Sequence, residues 1–320
     1  MTPMSLERPQ VLIVGAGAMG GLFGGLLAEG GLTVTLLDPW REHIDAIRAR
    51  GLRIVGYGGD RTIPIKATSN AGEVRSADVV LFQCKAFANE DAARSVQHLF
   101  GGQTVAISFQ NGLGTEETLA GVLGEHSILG GLTAQAGLVE APGVVRNFGD
   151  LPTYIGELSG GLSERARIIA DTFTRYGLPT TASADIKREK WKKLLGNVSL
   201  GAISAATDLT SARIMAIPEL RAVVLRAVEE AAAVAGACGI ELSEAEKHEV
   251  LGRITDTSGG GTGSSKSSMA ADVAQRRRTE IDTIHGAVAR LGREYGVPTP
   301  TIDVMVGIVK GLESHYLEQG

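Results

Sequence analysis

The stretch Val11-Leu12-Ile13-Val14-Gly15-Ala16-Gly17-Ala18-Met19-Gly20 decides the fold of this chain. Its four leading apolar residues, three of them β-branched, are typical of a strand buried on both faces. The glycine spacing predicts a tight turn at Gly15, room for a pyrophosphate at Gly17, and close packing of a following helix at Gly20. An apolar, small-residue run over residues 22–28 supplies that helix. The stretch therefore predicts a dinucleotide-binding strand–turn–helix, and the alternative is a purely structural glycine-rich turn.

Length and composition limit the remaining possibilities. A chain of 320 residues with 43% hydrophobic and 21% charged residues is typical of a globular protein of two domains. A net charge of −5 and only 4% aromatic residues argue against nucleic acid as a partner. We expect no membrane segment, because no apolar run reaches about 20 residues. We expect no signal peptide, because the first ten residues contain Pro, Glu and Arg and no apolar core. We also expect no metal site. Two cysteines, Cys84 and Cys238, fit a reducing cytoplasm better than a disulfide framework.

Strand and helix patterns alternate in the first half of the chain and give way to helical spacing in the second. We therefore predict an α/β Rossmann-type domain over residues 1–183 and an all-helical domain over residues 184–320. Further strands are expected at residues 33–37, 52–55, 62–66, 78–82, 104–107, 128–134, 144–148 and 154–155, with helices at 42–50, 90–99 and 162–176. Helices of the second domain are expected at residues 185–197, 221–238, 243–254, 279–295 and 301–317. The apolar faces of the helices from residues 221 and 301 fit either a homodimer interface or the core.

Asp38 ends the second predicted strand, about 20 residues after the glycines, where an acidic residue can bind both hydroxyls of an adenosine ribose. The same carboxylate would repel a 2′-phosphate, so Asp38 favours NAD over NADP. Arg41 follows closely and leaves a phosphate contact open. The structural alternative makes Asp38 a helix N-cap, because Pro39 suits the first helical position.

Polar residues stand at two other strand ends. Lys85 follows the strand at residues 78–82, and Asn111 follows the strand at residues 104–107. The carboxyl ends of parallel strands form the ligand-binding edge of such sheets. Lys85 is therefore a candidate for cofactor and substrate contact, or else a surface lysine. The Asn111 amide could bond a substrate oxygen or the nicotinamide ribose, or simply tolerate a left-handed turn.

The helical domain offers a second group of candidates. Lys193 and Asn197 are four residues apart and share one helix face, which suits an acid beside an orienting amide. Ser268 precedes a predicted helix, and Glu280 could pair with a buried lysine and hold its charge in position. In the alternative interpretation, Glu280 only complements the dipole of the helix that starts there.

In this order, these segments resemble the ketopantoate reductase (2-dehydropantoate 2-reductase) family over nearly the whole chain. The matching runs are Gly15–Gly20, Cys84-Lys85-Ala86, Gln110-Asn111-Gly112-Leu113-Gly114, Pro142-Gly143, Trp191-Lys192-Lys193-Leu194 with Asn197, Ser267-Ser268-Met269 with Asp272, Thr279-Glu280-Ile281-Asp282, and Gly296-Val297-Pro298-Thr299-Pro300. The segment from Ser267 to Asp282 is the most specific, because it separates this family from other dehydrogenases that combine a Rossmann domain with helices and a lysine.

The resemblance implies reduction of a 2-oxo acid to a D-2-hydroxy acid by NAD(P)H. Lys193 would protonate the carbonyl oxygen as hydride reaches the 2-oxo carbon, and Glu280 would position that lysine and the substrate. The acid itself would be bound by Asn111, Asn197 and Ser268, with Lys85 near nicotinamide and substrate. Such an arrangement is chemically sound, because a preplaced ammonium stabilises the negative charge that develops on the oxygen.

Two positions depart from the family pattern. The family often has a second asparagine one helical turn after the first, which contacts a substrate hydroxyl, and here that position is Gly201. The family mostly prefers NADPH, which Asp38 does not fit. These departures keep open an NAD-dependent D-2-hydroxyacid dehydrogenase acting on branched or aromatic 2-oxo acids. A non-catalytic nucleotide-sensing protein and a flavoprotein are the alternatives of other classes.

Overall fold

The computed structural model describes residues 8–258 and 261–317, which form two compact units. The first unit contains the chain up to Gln110 and Thr115–Ile186, and the second contains Asn111–Gly114 and the chain from Lys187 onward. The main change of unit after Ile186 falls close to the expected boundary at residue 183. No sequence pattern indicates that four residues from the first half, Asn111–Gly114, pack with the helical unit.

The first unit is an α/β structure built on two sheets. Its strands are β1 (Gln10–Val14), β2 (Thr33–Leu37), β3 (Leu52–Gly56), β4 (Arg61–Ile63), β5 (Lys66–Thr68), β6 (Val79–Phe82), β7 (Val105–Ser108), β8 (Ile128–Thr133), β9 (Gly137–Ala141), β10 (Val144–Asn147), β11 (Thr153–Gly156) and β12 (Thr180–Ala182). Its helices are α1 (Ala18–Glu29), α2 (Arg41–Arg50), α3 (Asn89–Val96), α4 (Thr115–Leu123) and α5 (Glu164–Arg175). The expected α/β Rossmann-type fold class is confirmed.

The larger sheet has eight strands in the order β12-β11-β8-β7-β6-β1-β2-β5. The six strands from β8 to β5 are parallel, and β11 runs antiparallel to β8. Strands β6 and β7 are buried at every residue, as expected for central strands covered by helices on both faces. The parallel run brings the ends of β1, β2, β6 and β7 to one edge, which holds the glycine turn, Asp38 and Lys85.

The smaller sheet corrects one prediction. Residues 62–66 were expected to form one strand, but β4 pairs with β3 in the smaller sheet and β5 pairs with β2 in the larger one. Pro64 separates them, because it has no N–H for the ladder and restricts the residue before it. The smaller sheet has the order β4-β3-β10-β9. The sequence patterns also missed β9, β12 and α4.

Every helix or strand in the described residues of the second unit is a helix, which confirms the expected fold class. Its helices are α6 (Ile186–Thr207), α7 (Ser211–Ala216), α8 (Pro218–Ala237), α9 (Glu244–Thr255), α10 (Ser268–Ala274), α11 (Ile281–Tyr295) and α12 (Pro300–Leu317). Ser243 caps α9 through a reciprocal capping box with Glu246. Buried residues of α8 and α12 belong to the core, whereas Leu225, Val304 and Ile308 are exposed, so the homodimer stays a prediction. No helix in the described part of the chain is long and apolar enough to cross a membrane.

Candidate active site

The glycine turn has the geometry that its spacing predicts. Gly15 has φ +95°, and a Cβ there would lie 2.4 Å from the backbone nitrogen of Cys84. A Cβ at Gly20 would lie 1.8 Å from the Gly15 carbonyl oxygen, so α1 packs directly on the turn. At Gly17, by contrast, a Cβ would meet nothing within 4 Å. Two glycines are therefore required by packing, and the third leaves open space beside the backbone.

The N-terminus of α1 is suited to an anion. Gly17 is the N-cap residue, no side chain caps the helix, and no acidic residue lies in its first turn. The first N–H groups of a helix lack partners within it, and the helix dipole places positive charge there. Ala18, Met19 and Gly20 begin this turn, so a diphosphate approaching past Gly17 would meet backbone donors.

Asp38 closes over the same turn from the end of β2. Its Oδ2 accepts a hydrogen bond from the Ala16 N–H at 2.7 Å, and its Oδ1 accepts one from the Trp40 N–H at 2.9 Å. Helix α2 begins at Arg41 with Trp40 as its N-cap residue, so the alternative that made Asp38 the N-cap is wrong. Arg41 is exposed. The carboxylate thus lies beside the glycine turn, as a ribose-binding acid does.

A buried histidine that the sequence interpretation missed supports this corner. His43 of α2 is fully buried, and its Nδ1 accepts a hydrogen bond from the Gly143 N–H at 3.2 Å. Its ring stacks on Trp40 with 4.8 Å between the ring centroids. Burial lowers the pKa of His43, opposed in part by Asp38. The neutral ring connects α2 to the turn before β10, which contains the Pro142-Gly143 run.

Lys85 is half-buried at the carboxyl end of β6, in the segment whose backbone packs on Gly15. Side chains missed by the sequence interpretation brace this edge. The Gln110 amide donates to the Cys84 carbonyl at 2.6 Å and to Asn89 Oδ1 at 2.5 Å, and the Ser108 hydroxyl donates to Gln110 Oε1 at 3.0 Å. These hydrogen bonds tie the ends of β6 and β7 together, so the backbone around Lys85 is held firmly. The signal for them is a run of polar residues directly after buried strands.

In the second unit, the structure brings Lys193 close to Glu280. Lys193 is half-buried on α6. Loss of hydration, together with the positive charges of Lys190 and Arg253, lowers the pKa of Lys193 to about 8, and the Glu280 carboxylate opposes that shift. Glu280 is the N-cap residue of α11, but its side chain makes no capping hydrogen bond. A lysine with this pKa is a mixture of ammonium and amine near neutral pH, which suits proton transfer.

Other candidates follow the same face of α6. Positions 193, 197 and 201 are four residues apart and therefore lie one above another on one face. The Ser267 hydroxyl donates to the Gly201 carbonyl at 3.1 Å and also caps α10, whose first residue is the exposed Ser268. Ser268 thus lies inside the helix that it was expected to precede. Lys193, Asn197 and the point where Ser267 contacts Gly201 therefore follow one another along one face of α6.

Asn111 reaches this group through the segment that follows β7. The Leu113 N–H donates to the Thr283 carbonyl at 2.9 Å, and a Cβ at Gly112 would lie 2.1 Å from that same oxygen. Gly112 and Gly114 take the positive φ angles, whereas Asn111 does not, so the left-handed alternative for Asn111 is wrong. The segment lies against the first turn of α11, one turn from Glu280. The second unit therefore collects five of the predicted site residues, and Lys85, Asp38 and the glycine turn belong to the first unit.

Comparison with known proteins identifies the family. Residues 11–160 match the family model described as ketopantoate reductase PanE/ApbA, and residues 185–313 match the model of its C-terminal part. The 2-dehydropantoate 2-reductase of Halobacterium salinarum is 34% identical, over 94% of this chain and 98% of the relative. The enzyme of the same name from Mesorhizobium japonicum is 32% identical, over 95% of this chain and 97% of the relative. The chain belongs to the ketopantoate reductase family.

Solved structures agree with this assignment. A ketopantoate reductase of the PanE/ApbA family from Ralstonia eutropha JMP134 has a TM-score of 0.87 at 30% identity, and the match covers 96% of this chain and 99% of that one. A D-mandelate dehydrogenase, solved with NADH and anilino(oxo)acetate, has a TM-score of 0.89 at 29% identity, with coverage of 96% and 99%. As a member of the ketopantoate reductase family, the chain is an NAD(P)-dependent oxidoreductase that acts on a CH–OH group.

The residues present fit the nicotinamide cofactor of the ketopantoate reductase family. The open space at Gly17 and the uncapped start of α1 match a diphosphate, and Asp38 next to the Ala16 N–H matches a ribose. No acidic side chain competes for the first turn of α1. The glycine turn and Asp38 would hold the adenosine diphosphate end, and the bound cofactor would supply hydride.

Proposed function

We propose that this member of the ketopantoate reductase family reduces 2-dehydropantoate (ketopantoate) to pantoate, a D-2-hydroxy acid, with NADH as reductant. The observation that supports the chemistry most directly is the pair of Lys193 and Glu280, in which a half-buried lysine has a pKa of about 8. The substrate is supported by the curated relatives named 2-dehydropantoate 2-reductase. The product would enter pantothenate biosynthesis.

In the proposed reaction, the 2-oxo carbon receives hydride and its oxygen receives a proton. The Lys193 ammonium donates that proton to the oxygen, becomes a neutral amine and is reprotonated from solvent. A preplaced ammonium stabilises the oxygen more as it gains negative charge than in the ground state. Glu280 keeps the ammonium protonated and oriented, because its carboxylate raises the Lys193 pKa against the effect of lost hydration.

We propose that Asn111, Asn197 and Ser268 bind the 2-oxo acid, and that Lys85 contacts nicotinamide and substrate. Three elements supply the binding residues, since Asn111 precedes the Thr283 contact, Asn197 lies on α6 and Ser268 begins α10. Amide and hydroxyl groups both donate and accept, so they can orient a carboxylate and a carbonyl together. For the cofactor, Asp38 supports NADH, because a 2′-phosphate would approach a carboxylate already bonded to the Ala16 N–H.

The second candidate is an NAD-dependent D-2-hydroxyacid dehydrogenase acting on branched or aromatic 2-oxo acids. Gly201 and the similarity to a D-mandelate dehydrogenase solved with NADH favour it. The curated relatives favour ketopantoate, which is why we place it first.

Initial rates of cofactor oxidation test this proposal, with ketopantoate and 2-oxoisovalerate each measured with NADH and NADPH. We expect the highest kcat/KM for ketopantoate with NADH. A higher value for 2-oxoisovalerate would support the second candidate instead. Tight NADH binding without reduction of either acid would point to a nucleotide-sensing protein, and a coloured flavin-containing preparation would point to a flavoprotein.

A substitution at Asp38 tests the preference for NADH over NADPH. We expect Asp38→Asn to weaken NADH binding by at least about tenfold, because a charge-assisted hydrogen bond contributes roughly 1.5–3 kcal/mol. The same change should narrow the preference for NADH over NADPH in fluorescence titrations. Asp45→Asn on the exposed face of α2 removes an equal charge away from the turn and serves as control. A wild-type preference for NADPH would contradict the role given to Asp38.

A further inference from the structure

His285 is a buried polar side chain that the proposed reaction does not use. It lies on α11, five positions after Glu280, and is 0% exposed. Within the described residues, neither of its ring nitrogens has a hydrogen-bond partner. Buried polar groups in proteins are nearly always hydrogen-bonded, so each exception points to strain, to function or to a bound group. The position of His285 indicates which of these three explanations applies.

The ring of His285 occupies the side-chain space of position 201. A Cβ built at Gly201 would lie 3.1 Å from Cε1 and 3.9 Å from Nε2 of His285, and 3.8 Å from the terminal methyl group of Met269. A longer side chain at position 201 would therefore displace the imidazole. Glycine at this position and histidine at position 285 are consequently coupled, since the absence of one side chain makes room for the other.

This imidazole lies beside Gly201, on the face of α6 that also carries two of the proposed site residues. Gly201 shares the face of α6 with Lys193 and Asn197, and its carbonyl oxygen accepts the hydrogen bond from Ser267. Glu280, whose charge raises the pKa of Lys193, is the N-cap residue of the helix that carries His285. The His285 ring therefore lies at the Gly201 end of the row of positions 193, 197 and 201, and Lys193 lies at the other end.

The protonation state of the ring limits what it can bind. Burial lowers the pKa of His285 to about 4, so the imidazole is neutral near pH 7 and has one N–H and one lone pair. The Val198 carbonyl favours a proton on the ring nitrogen that faces it, without completing a hydrogen bond. The other nitrogen is then an acceptor. It matches a hydroxyl, which donates, and does not match a second carboxylate, which only accepts.

We propose that His285 is a specificity-determining residue: its ring fills the space that glycine leaves at position 201, and its second ring nitrogen accepts a hydrogen bond from a hydroxyl on the side chain of the 2-oxo acid. The inference rests on the proposed reduction of a 2-oxo acid and deepens it, because it assigns the enzyme to hydroxylated 2-oxo acids. It also gives the missing amide at position 201 a replacement from a different helix.

A matched pair of substrates tests the proposal. Ketopantoate and 2-oxo-3,3-dimethylbutanoate differ only by one hydroxyl, so the ratio of their kcat/KM values measures recognition of that hydroxyl. We expect the wild-type protein to favour ketopantoate by about tenfold or more. His285→Leu should remove most of that ratio through a fall in kcat/KM for ketopantoate, and its activity with the hydroxyl-free acid should fall far less.

Two further variants keep the test independent of folding. Gly201→Ala should reduce the ratio in the same direction, because its methyl group would approach Cε1 of His285 to 3.1 Å. His248→Leu, at an exposed histidine of α9, is the matched control and should leave the ratio at the wild-type value. Thermal unfolding, followed by circular dichroism, verifies that each variant is folded.

The outcomes separate this inference from the proposed function. Equal losses on both acids in His285→Leu would show a structural role and overturn the inference. A wild-type ratio near one would also overturn it, although reduction of a 2-oxo acid would stand. A wild-type protein that binds NADH and reduces neither acid would remove the proposed function and the inference together.

Discussion

Lys193 shows how a single residue acquires its chemistry from its surroundings. An exposed lysine is fully protonated near pH 7, and it is a weak acid for a reaction at that pH. Here, partial burial and the charges of Lys190 and Arg253 bring the pKa to about 8, and Glu280 limits the fall. The ammonium form therefore predominates at pH 7, yet it gives up its proton more readily than a lysine in water does.

The pH dependence of reduction follows from this pKa. A general acid must be protonated, so kcat/KM should be constant below the Lys193 pKa of about 8 and fall about tenfold per pH unit above it. Glu280→Gln removes the carboxylate that raises this pKa, so the descending limb should move to lower pH. Rates measured from pH 6 to 10 would show both effects.

Glu249→Gln provides the control for that pH series, because Glu249 pairs at 3.6 Å with Lys192, the residue next to Lys193. Its descending limb should match the wild-type limb. An identical midpoint in Glu280→Gln and wild type would refute the role of Glu280.

For single residues, the sequence predicted which side chains could carry the chemistry better than it predicted the burial and partners of those side chains. The spacing of Lys193 and Asn197 places them on one helix face without any knowledge of the structure. The pairing of Lys193 with Glu280 depends on helices far apart in the chain, and only the family resemblance suggested it. His285 gave no signal, because a histidine within an apolar helical pattern is indistinguishable from an ordinary core residue until its partners are known.

At the scale of elements, the strand–turn–helix at the start of the chain combines two separate requirements. Gly15 and Gly20 are fixed by packing, since a Cβ at either would overlap backbone atoms. Gly17 is not fixed in this way, because the space beside it is open. Stability and cofactor binding can therefore be separated within six residues.

Two alanine variants make that separation measurable. Gly20→Ala should lower the free energy of unfolding by about 1–3 kcal/mol, because the added methyl group would overlap rigid backbone atoms. Gly17→Ala should change the melting temperature little and weaken NADH binding strongly, because its methyl group would occupy the diphosphate approach. Thermal unfolding and NADH titration of both variants test this, and a stable Gly20→Ala or a tightly binding Gly17→Ala would contradict the assignment.

Elements followed from the sequence where one local pattern decided them. Strands β1, β2 and β6 and the capped start of α9 have strong apolar runs or cap residues of their own. Strands β4 and β5 did not follow from the sequence, because their short segments give no indication of which sheet each joins. The sequence pattern predicted one strand across Pro64, where the structure has two. Pairing with distant strands decides such cases.

At the scale of the whole molecule, the two units have different proposed tasks. The glycine turn and Asp38 lie in the first unit, and Lys193, Glu280, Asn197 and Ser268 lie in the second. The fold class was predictable, because strand-type patterns stop near Ala184 and helical spacing follows. The inclusion of Asn111–Gly114 in the second unit was not, since it depends on the fit of Gly112 against the Thr283 carbonyl.

This division predicts that chemistry can be lost without loss of cofactor binding. Lys193→Ala should lower turnover by at least about 100-fold, the usual range for removing a general acid, and leave NADH affinity unchanged. Lys192→Ala, at the adjacent residue that pairs with Glu249, should retain wild-type turnover. Steady-state rates and fluorescence titrations decide the matter, and near wild-type turnover in Lys193→Ala would exclude it as the acid.

The four residues Asn111–Gly114 have a consequence for protein recombination. The helical unit is not one continuous stretch of sequence, because this short segment is encoded more than 70 positions before the rest of it. A chimera that joins residues 187–320 to the N-terminal half of a relative would set a foreign loop against α11. Grafts that also transplant Asn111–Gly114 keep the hydrogen bond from Leu113 to Thr283, so successful domain exchange in this family should require three crossover points instead of one.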